Sequence, residues 1–241
     1  LQLQYADVSL WQQRHRVDDG AASLGWWRAR LLGAPRLLEL PLTCPRDSMD
    51  TTIGSSIDVR LQPKLGTAMR LLCRRERVST LTCFIAAWST LLMHLSRQDE
   101  VVLGQPYSLQ LEHAELRDLV GCFSTPIPVR ITMATSFLCL LRGAYAELLR
   151  SMDHADVPLF RIVEAIGCER SGRFNPLFQT IVQLLPRADD QEARVNASDG
   201  DSCVGAHQLQ GIDLFLNFTD DVDGSFSGTL LFDATIFDPL R

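Results

Sequence analysis

The chain has 241 residues, 46% of them apolar and 22% charged, with a formal net charge of −6. Such a composition suits a folded protein with a sizeable core. Lys and Arg are scattered over a net negative chain, no apolar run reaches the ~18 residues of a membrane span, and no basic and apolar leader opens the chain. These features argue against nucleic acid and membrane as partners and predict a cytoplasmic piece of a longer polypeptide.

Residues Tyr5 to Leu31 read as a polar helical stretch carrying Trp11, Trp26 and Trp27. Gly33-Ala-Pro35 stops it, and Pro41 and Pro45 mark an extended connector, so a main lobe is expected from about Thr51 onward. Residues 53–61 alternate as a strand does, and Pro63 can open a helix running to about Glu76. Leu81, Phe84, Ile85, Trp88, Leu91, Leu92 and Leu95 recur at three and four, which predicts a buried helix over 79–96. Val101-Val-Leu103 follows as a short strand ending at Gly104.

A small helix is expected near 112–120 and a strand at 124–133. Phe137, Leu141, Ala144, Tyr145 and Leu148 define an amphipathic helix, with a shorter one at 158–167. The apolar run 177–185 lies between Pro176 and Pro186 and reads as a strand buried on both faces. Residues 187–206 are polar and predict a mobile loop. Ile212, Leu214, Leu216 and Phe218, then Asp223-Gly224, then Phe226, Leu230 and Phe232 predict a closing hairpin. The sum is a mixed α/β domain.

Seven cysteines occur, Cys44, Cys73, Cys83, Cys122, Cys139, Cys168 and Cys203, without a C-x-x-C pair. They predict reduced, buried thiols, Cys83, Cys122 and Cys139 among them, rather than a metal or disulfide framework. The acidic strings at 198–201 and 220–224 lack a calcium-loop spacing and read as turns, so no metal is expected.

Four segments carry a resemblance. Tyr5-x-Asp7-x-x-x-Trp11 is similar to Y-x-D-F-A-V-W, and Val120-Gly121-Cys-Phe123-Ser124-Thr125, with Arg130 beyond it, to G-x-F-V-N-T. His154-Ala-Asp156-Val-Pro158 is similar to H-Q-D-V-P-F-E, and Arg170-Ser-Gly-Arg-Phe-Asn175-Pro176-Leu-Phe178 to R-D-x-S-R-N-P-L-F. In this order they resemble the condensation domain of nonribosomal peptide synthetases. The stretches between them, such as Ser96 to Gly104, fit as well.

The resemblance implies a chloramphenicol-acetyltransferase-like two-layer mixed-sheet sandwich. Residues 1–50 would end the N-terminal lobe and linker, and 51–241 would form the C-terminal lobe. It also implies amide-bond formation between an acyl or peptidyl donor and an aminoacyl acceptor, both carried on phosphopantetheine arms of carrier proteins, with no cofactor bound directly. Partners would be carrier domains and an adenylation domain.

The family's H-H-x-x-x-D-G histidine motif precedes its Y-x-D segment, so it is expected upstream of Leu1, leaving no catalytic residue in this chain. His15-Arg-Val-Asp-Asp19-Gly20 matches the spacing, but it lies after Trp11, lacks the first histidine and sits among charged residues. It reads as a solvated helix end. His154 reads as a turn and helix start, with His or Asp capping. Ser124 stands where the family has Asn, Ser171 and Phe174 replace Asp and Arg, and no Arg follows Gly104-Gln-Pro106. Gly121-Cys-Phe123-Ser124-Thr125 also resembles the G-x-F-T-T segment of epimerization domains, which leaves that domain of the same fold open, while Ser124 and the missing Arg leave open a non-catalytic condensation-like module recruiting a carrier protein or tailoring enzyme.

Overall fold

The computed structural model describes residues 3–15, 20–46, 52–111, 113–168, 174–185 and 211–238. Two helices come first, α1 (Tyr5–His15) and α2 (Gly20–Leu31), followed by the extended connector. Then come β1 (Gly54–Leu61), α3 (Pro63–Glu76), α4 (Thr80–Ser96), β2 (Glu100–Ser108), β3 (Ser124–Thr132), α5 (Phe137–Asp153), α6 (Leu159–Ile166), β4 (Thr180–Leu185), β5 (Leu214–Asp220) and β6 (Phe226–Asp233). The expected loop at 187–206 lies outside the described residues.

The strands form one mixed six-stranded sheet in the order β1-β6-β5-β4-β2-β3. β4 runs parallel to β2 and β5, while the other neighbours are antiparallel. Alternate residues face opposite sides. Val101, Leu103, Val129, Val182, Leu214, Leu216 and Phe232 join a core with Phe84, Leu92 and Leu141 of α4 and α5. On the other side Val102 and Ile181 pack with Trp27 and Leu31 of α2 and Ile162 of α6. Helix starts follow local chemistry: Ser79 and Ser136 accept the amides of Thr82 and Cys139 at 3.1 and 3.3 Å, and Pro63 occupies the first turn of α3.

Three boundaries differ from the sequence pattern. β2 continues past Gly104 to Ser108, because Gln105 to Ser108 pair with Ser124 to Ile127 of the edge strand β3. Its partner on the other side, β4, registers only at Gly104↔Ile181, so Pro106 interrupts no continuing ladder there. β4 begins at Thr180 rather than 177, since the amides of Leu177 and Phe178 are taken by the Asn175 side chain. Near 112–120 the described residues hold only a short 3₁₀ turn, Ala114–Leu116, after another at Leu109–Leu111.

The thiols divide as well. Cys73 and Cys83 are buried, but Cys122 and Cys139 are exposed, contrary to expectation. Cys139 sits beside the inward-facing Leu140 and Leu141 in the first turn of α5, and Cys122 in the turn before β3. Burial pushes the Cys83 thiol up to about 12. No single helix among the described residues is long and apolar enough to cross a membrane.

Candidate functional site

The motif residues converge on the chain's first 46 residues, which they tie to the sheet at several points. The first tie joins the first two motifs. Tyr5 Oη donates to the carbonyl of Cys122 at 3.2 Å, and its ring meets Phe123 edge-on at 5.1 Å. A Cβ on Gly121 would stand 2.3 Å from the Tyr5 ring, so glycine is the residue that lets α1 approach. Val8 fills a small core with Leu116, Leu119 and Phe123.

Asp7 works locally. Its Oδ2 accepts the Gln4 amide at 2.9 Å, the reach-back half of a capping box. Trp11 is 45% exposed and touches His113 edge-on at 5.8 Å. Ser124 is exposed and donates to the Tyr107 carbonyl at 3.4 Å, and Thr125 pairs with Tyr107 in the ladder.

Arg130 makes the second tie. Its guanidinium grips Glu100 at 2.5 and 3.2 Å and donates to the carbonyls of Arg30 and Leu32, at the C-terminal end of α2, at 2.9 and 3.2 Å. Those carbonyls have no partner further along the helix, so a partly buried cation there is doubly favourable. Beside it Arg30 pairs with the almost fully buried Glu147, which also accepts Arg150 at 3.0 Å.

His154 makes the third. It is the C-cap of α5, not a cap of α6, whose N-cap is Pro158 without a side-chain bond. Its carbonyl accepts the indole N–H of Trp27 at 2.8 Å, its ring stacks on Trp26 at 4.3 Å, and its Nδ1 lies 3.1 Å from Ser23 Oγ. A hydroxyl beside an imidazole is half of a nucleophile–base pair, but among the described residues no carboxylate orients the ring's other nitrogen. Asp156 is exposed, while Ala155 and Val157 are buried in the core that holds Trp27.

The fourth tie holds the connector. Asn175 Oδ1 accepts the amides of Leu177 and Phe178 at 3.0 and 3.3 Å, which turns the chain and aims Gln179 inward. Gln179, 2% exposed, accepts the Leu38 amide at 2.7 Å and donates to the carbonyls of Arg36 and Asn175 at 3.0 and 2.7 Å. Phe178 presses on Gly104, where a Cβ would stand 2.4 Å from its ring. Pro176 lines a shallow hollow with Leu31, Pro35 and Leu177. Arg46 pairs with Asp213 at 2.6 Å and donates to the Leu38 carbonyl at 2.6 Å. Burial pushes the Asp213 carboxyl up, and the Arg46 guanidinium pulls against that.

Arg170 and most of the His15 to Gly20 string lie outside the described residues. Among the described residues no three of His, Cys, Asp and Glu gather as a metal site. Sequence patterns missed Ser23, Arg46, Glu147 and Gln179. Two had a usable signal: Glu147 falls on the buried face of α5, and Gln179 lies inside the apolar run 177–185, so each demanded a buried partner.

A family model described as "Condensation domain" matches residues 1–239. Malpinin synthetase of Mortierella alpina is 29% identical over 241 residues, which cover 99% of this chain and 3% of that one. A linear gramicidin synthase polypeptide of Brevibacillus parabrevis is 30% identical over 243 residues, 99% of this chain and 5% of that one. The X-domain in its complex with OxyB from teicoplanin biosynthesis superposes with a TM-score of 0.85 at 21% identity, over 98% of this chain and 54% of that one. The chain thus spans a few per cent of these two synthetases and about half of the X-domain chain.

Proposed function

This chain belongs to the condensation-domain family and has its chloramphenicol-acetyltransferase-like fold, and on that footing we propose that its parent domain forms amide bonds between a carrier-bound acyl or peptidyl donor and a carrier-bound aminoacyl acceptor. The observation that carries the reading is the family match across residues 1–239. In the proposed reaction the acceptor amine attacks the donor thioester carbonyl. The new C–N bond forms, the C–S bond breaks, the donor's phosphopantetheine thiol leaves, and the amine proton passes through a base to that sulfur. Holding the two arms together supplies most of the rate.

No H-H-x-x-x-D-G string occurs in the 241 residues, so this chain's part is scaffold. We place residues 1–50 with the end of an N-terminal lobe and 51–241 in the C-terminal lobe. Residues 20–46 would be the strap that sets the tunnel wall. Carrier and adenylation domains of the same synthetase are the proposed partners.

The test loads both carriers with the parent polypeptide present and follows dipeptidyl-carrier by intact mass. Product supports the reading. Carrier binding without product would favour a recruiting module, and inversion of the donor's α-carbon an epimerization domain.

A further inference from the structure

The connection between α3 and α4 is an elbow whose own hydrogen bonds hold its shape. The two helices are bent by 105° relative to one another across Arg77, Val78 and Ser79. Arg77 adopts the left-handed conformation, with φ 57°, and the Val78 amide closes back on the Cys73 carbonyl at 3.0 Å. Ser79 caps α4, and its carbonyl takes the amide of Cys83 at 3.3 Å. Cys73 thus stands one turn before the elbow and Cys83 one turn after it, each bonded to the elbow through its backbone.

Both side chains turn into the same core. Each is 4% exposed and packs in the cluster that holds Phe84, Leu92 and Val182. Their thiols meet there, where the Cys83 S–H donates to the Cys73 sulfur. Burial pushes both thiols up, Cys83 to about 12, while the bond from Cys83 pulls the Cys73 thiol back down. Cys73 is therefore the sulfur that ionises first, with a second sulfur already beside it.

We propose that Cys73 and Cys83 form a redox site, at which a peroxide makes a disulfide that staples α3 to α4 without displacing either helix. The Cys73 thiolate attacks one peroxide oxygen, the O–O bond breaks, and the departing hydroxide takes the thiol proton and leaves as water. The Cys83 sulfur then attacks the Cys73 sulfenic acid. The S–S bond forms, and the sulfenic hydroxyl leaves with the Cys83 proton as a second water. Two thiols are oxidised and one peroxide is reduced. The thiolate is the reacting species, so the rate should rise about tenfold per pH unit between about pH 7 and pH 9. The proposal is independent of the carrier-dependent reading above.

The test treats the parent polypeptide with hydrogen peroxide, blocks the remaining thiols with a maleimide, and maps the cysteine peptides without reduction. The expected product is a Cys73–Cys83 link within one chain, reversed by dithiothreitol. It should vanish in Cys73→Ala and in Cys83→Ala, and persist when Cys122→Ser and Cys139→Ser remove the exposed thiols. Hydrogen exchange gives a readout that needs no variant: amides of residues 74–84 should exchange more slowly after oxidation, because the staple suppresses local opening. Thiols left unmodified through pH 9, a sulfinic acid at Cys73 without a link, or links from either residue to Cys122 or Cys139 instead would each overturn the proposal. Faster exchange at the elbow after oxidation overturns it too, because the helices would then have to move to close the bond.

Discussion

Trp27 is 1% exposed and its indole donates to the His154 carbonyl, whereas Trp11 is 45% exposed and meets the His113 ring edge-on. Trp27→Ala should therefore cost about 3–5 kcal/mol in urea unfolding of the parent domain, and Trp11→Ala under about half of that. Equal costs would show that Trp11 is as buried as Trp27. Gln179→Ala should cost roughly 3 kcal/mol, because the Leu38 amide and the Arg36 and Asn175 carbonyls would be left unpaired beside a small cavity. A neutral result would mean that the connector is held elsewhere. The sequence motifs point to the right neighbourhood but not to these side chains. A motif marks Asn175, while the bond that fixes the connector belongs to Gln179, four residues on and 141 residues away from Leu38. That long-range pairing leaves no periodic trace.

At the level of elements, α3 and α5 are joined by Glu76 to Arg142 and Arg75. The Arg142 guanidinium, and after it Arg75, holds the Glu76 carboxyl below its ordinary 4.5. A depressed carboxylate stabilises the fold above its unfolded pKa and loses that contribution as pH falls through the folded value. Acid titration of stability should thus drop below about pH 4.5 in the native protein, and the drop should be smaller in Glu76→Gln. Identical acid limbs would remove this tie from the account. Helix and strand patterns placed α3 to α6 and β5 and β6 well, because one face of each is apolar at its own period. β2 was cut short for a physical reason: Gly104 and Pro106 read as breakers in isolation, but Gly104 makes room for Phe178, and Pro106 pairs against Pro126 of an edge strand. Hydrogen exchange offers a check on the strap. Glu147→Gln should speed exchange of the α2 amides while leaving β5 protected, since Arg30 loses its buried counter-charge.

For the whole molecule, the proposed function would divide labour between the sheet with its strap described above and a histidine-bearing wall that would supply the base. The family was legible from four short segments because their spacing survives where overall identity is 29–30%. What those residues do was not legible. Tyr5, Arg130 and His154 read as motif letters, and only the fold shows each meeting another part of the chain, while Asn175 turns its own segment. The most direct test supplies both loaded carriers to the 241-residue chain, with and without the preceding segment of its parent polypeptide in trans, and follows dipeptidyl-carrier by intact mass. The chain alone should give no product, and product should appear when the preceding segment supplies the proposed second wall. Product from the chain alone, abolished by His15→Ala or His154→Ala, would contradict the proposed function.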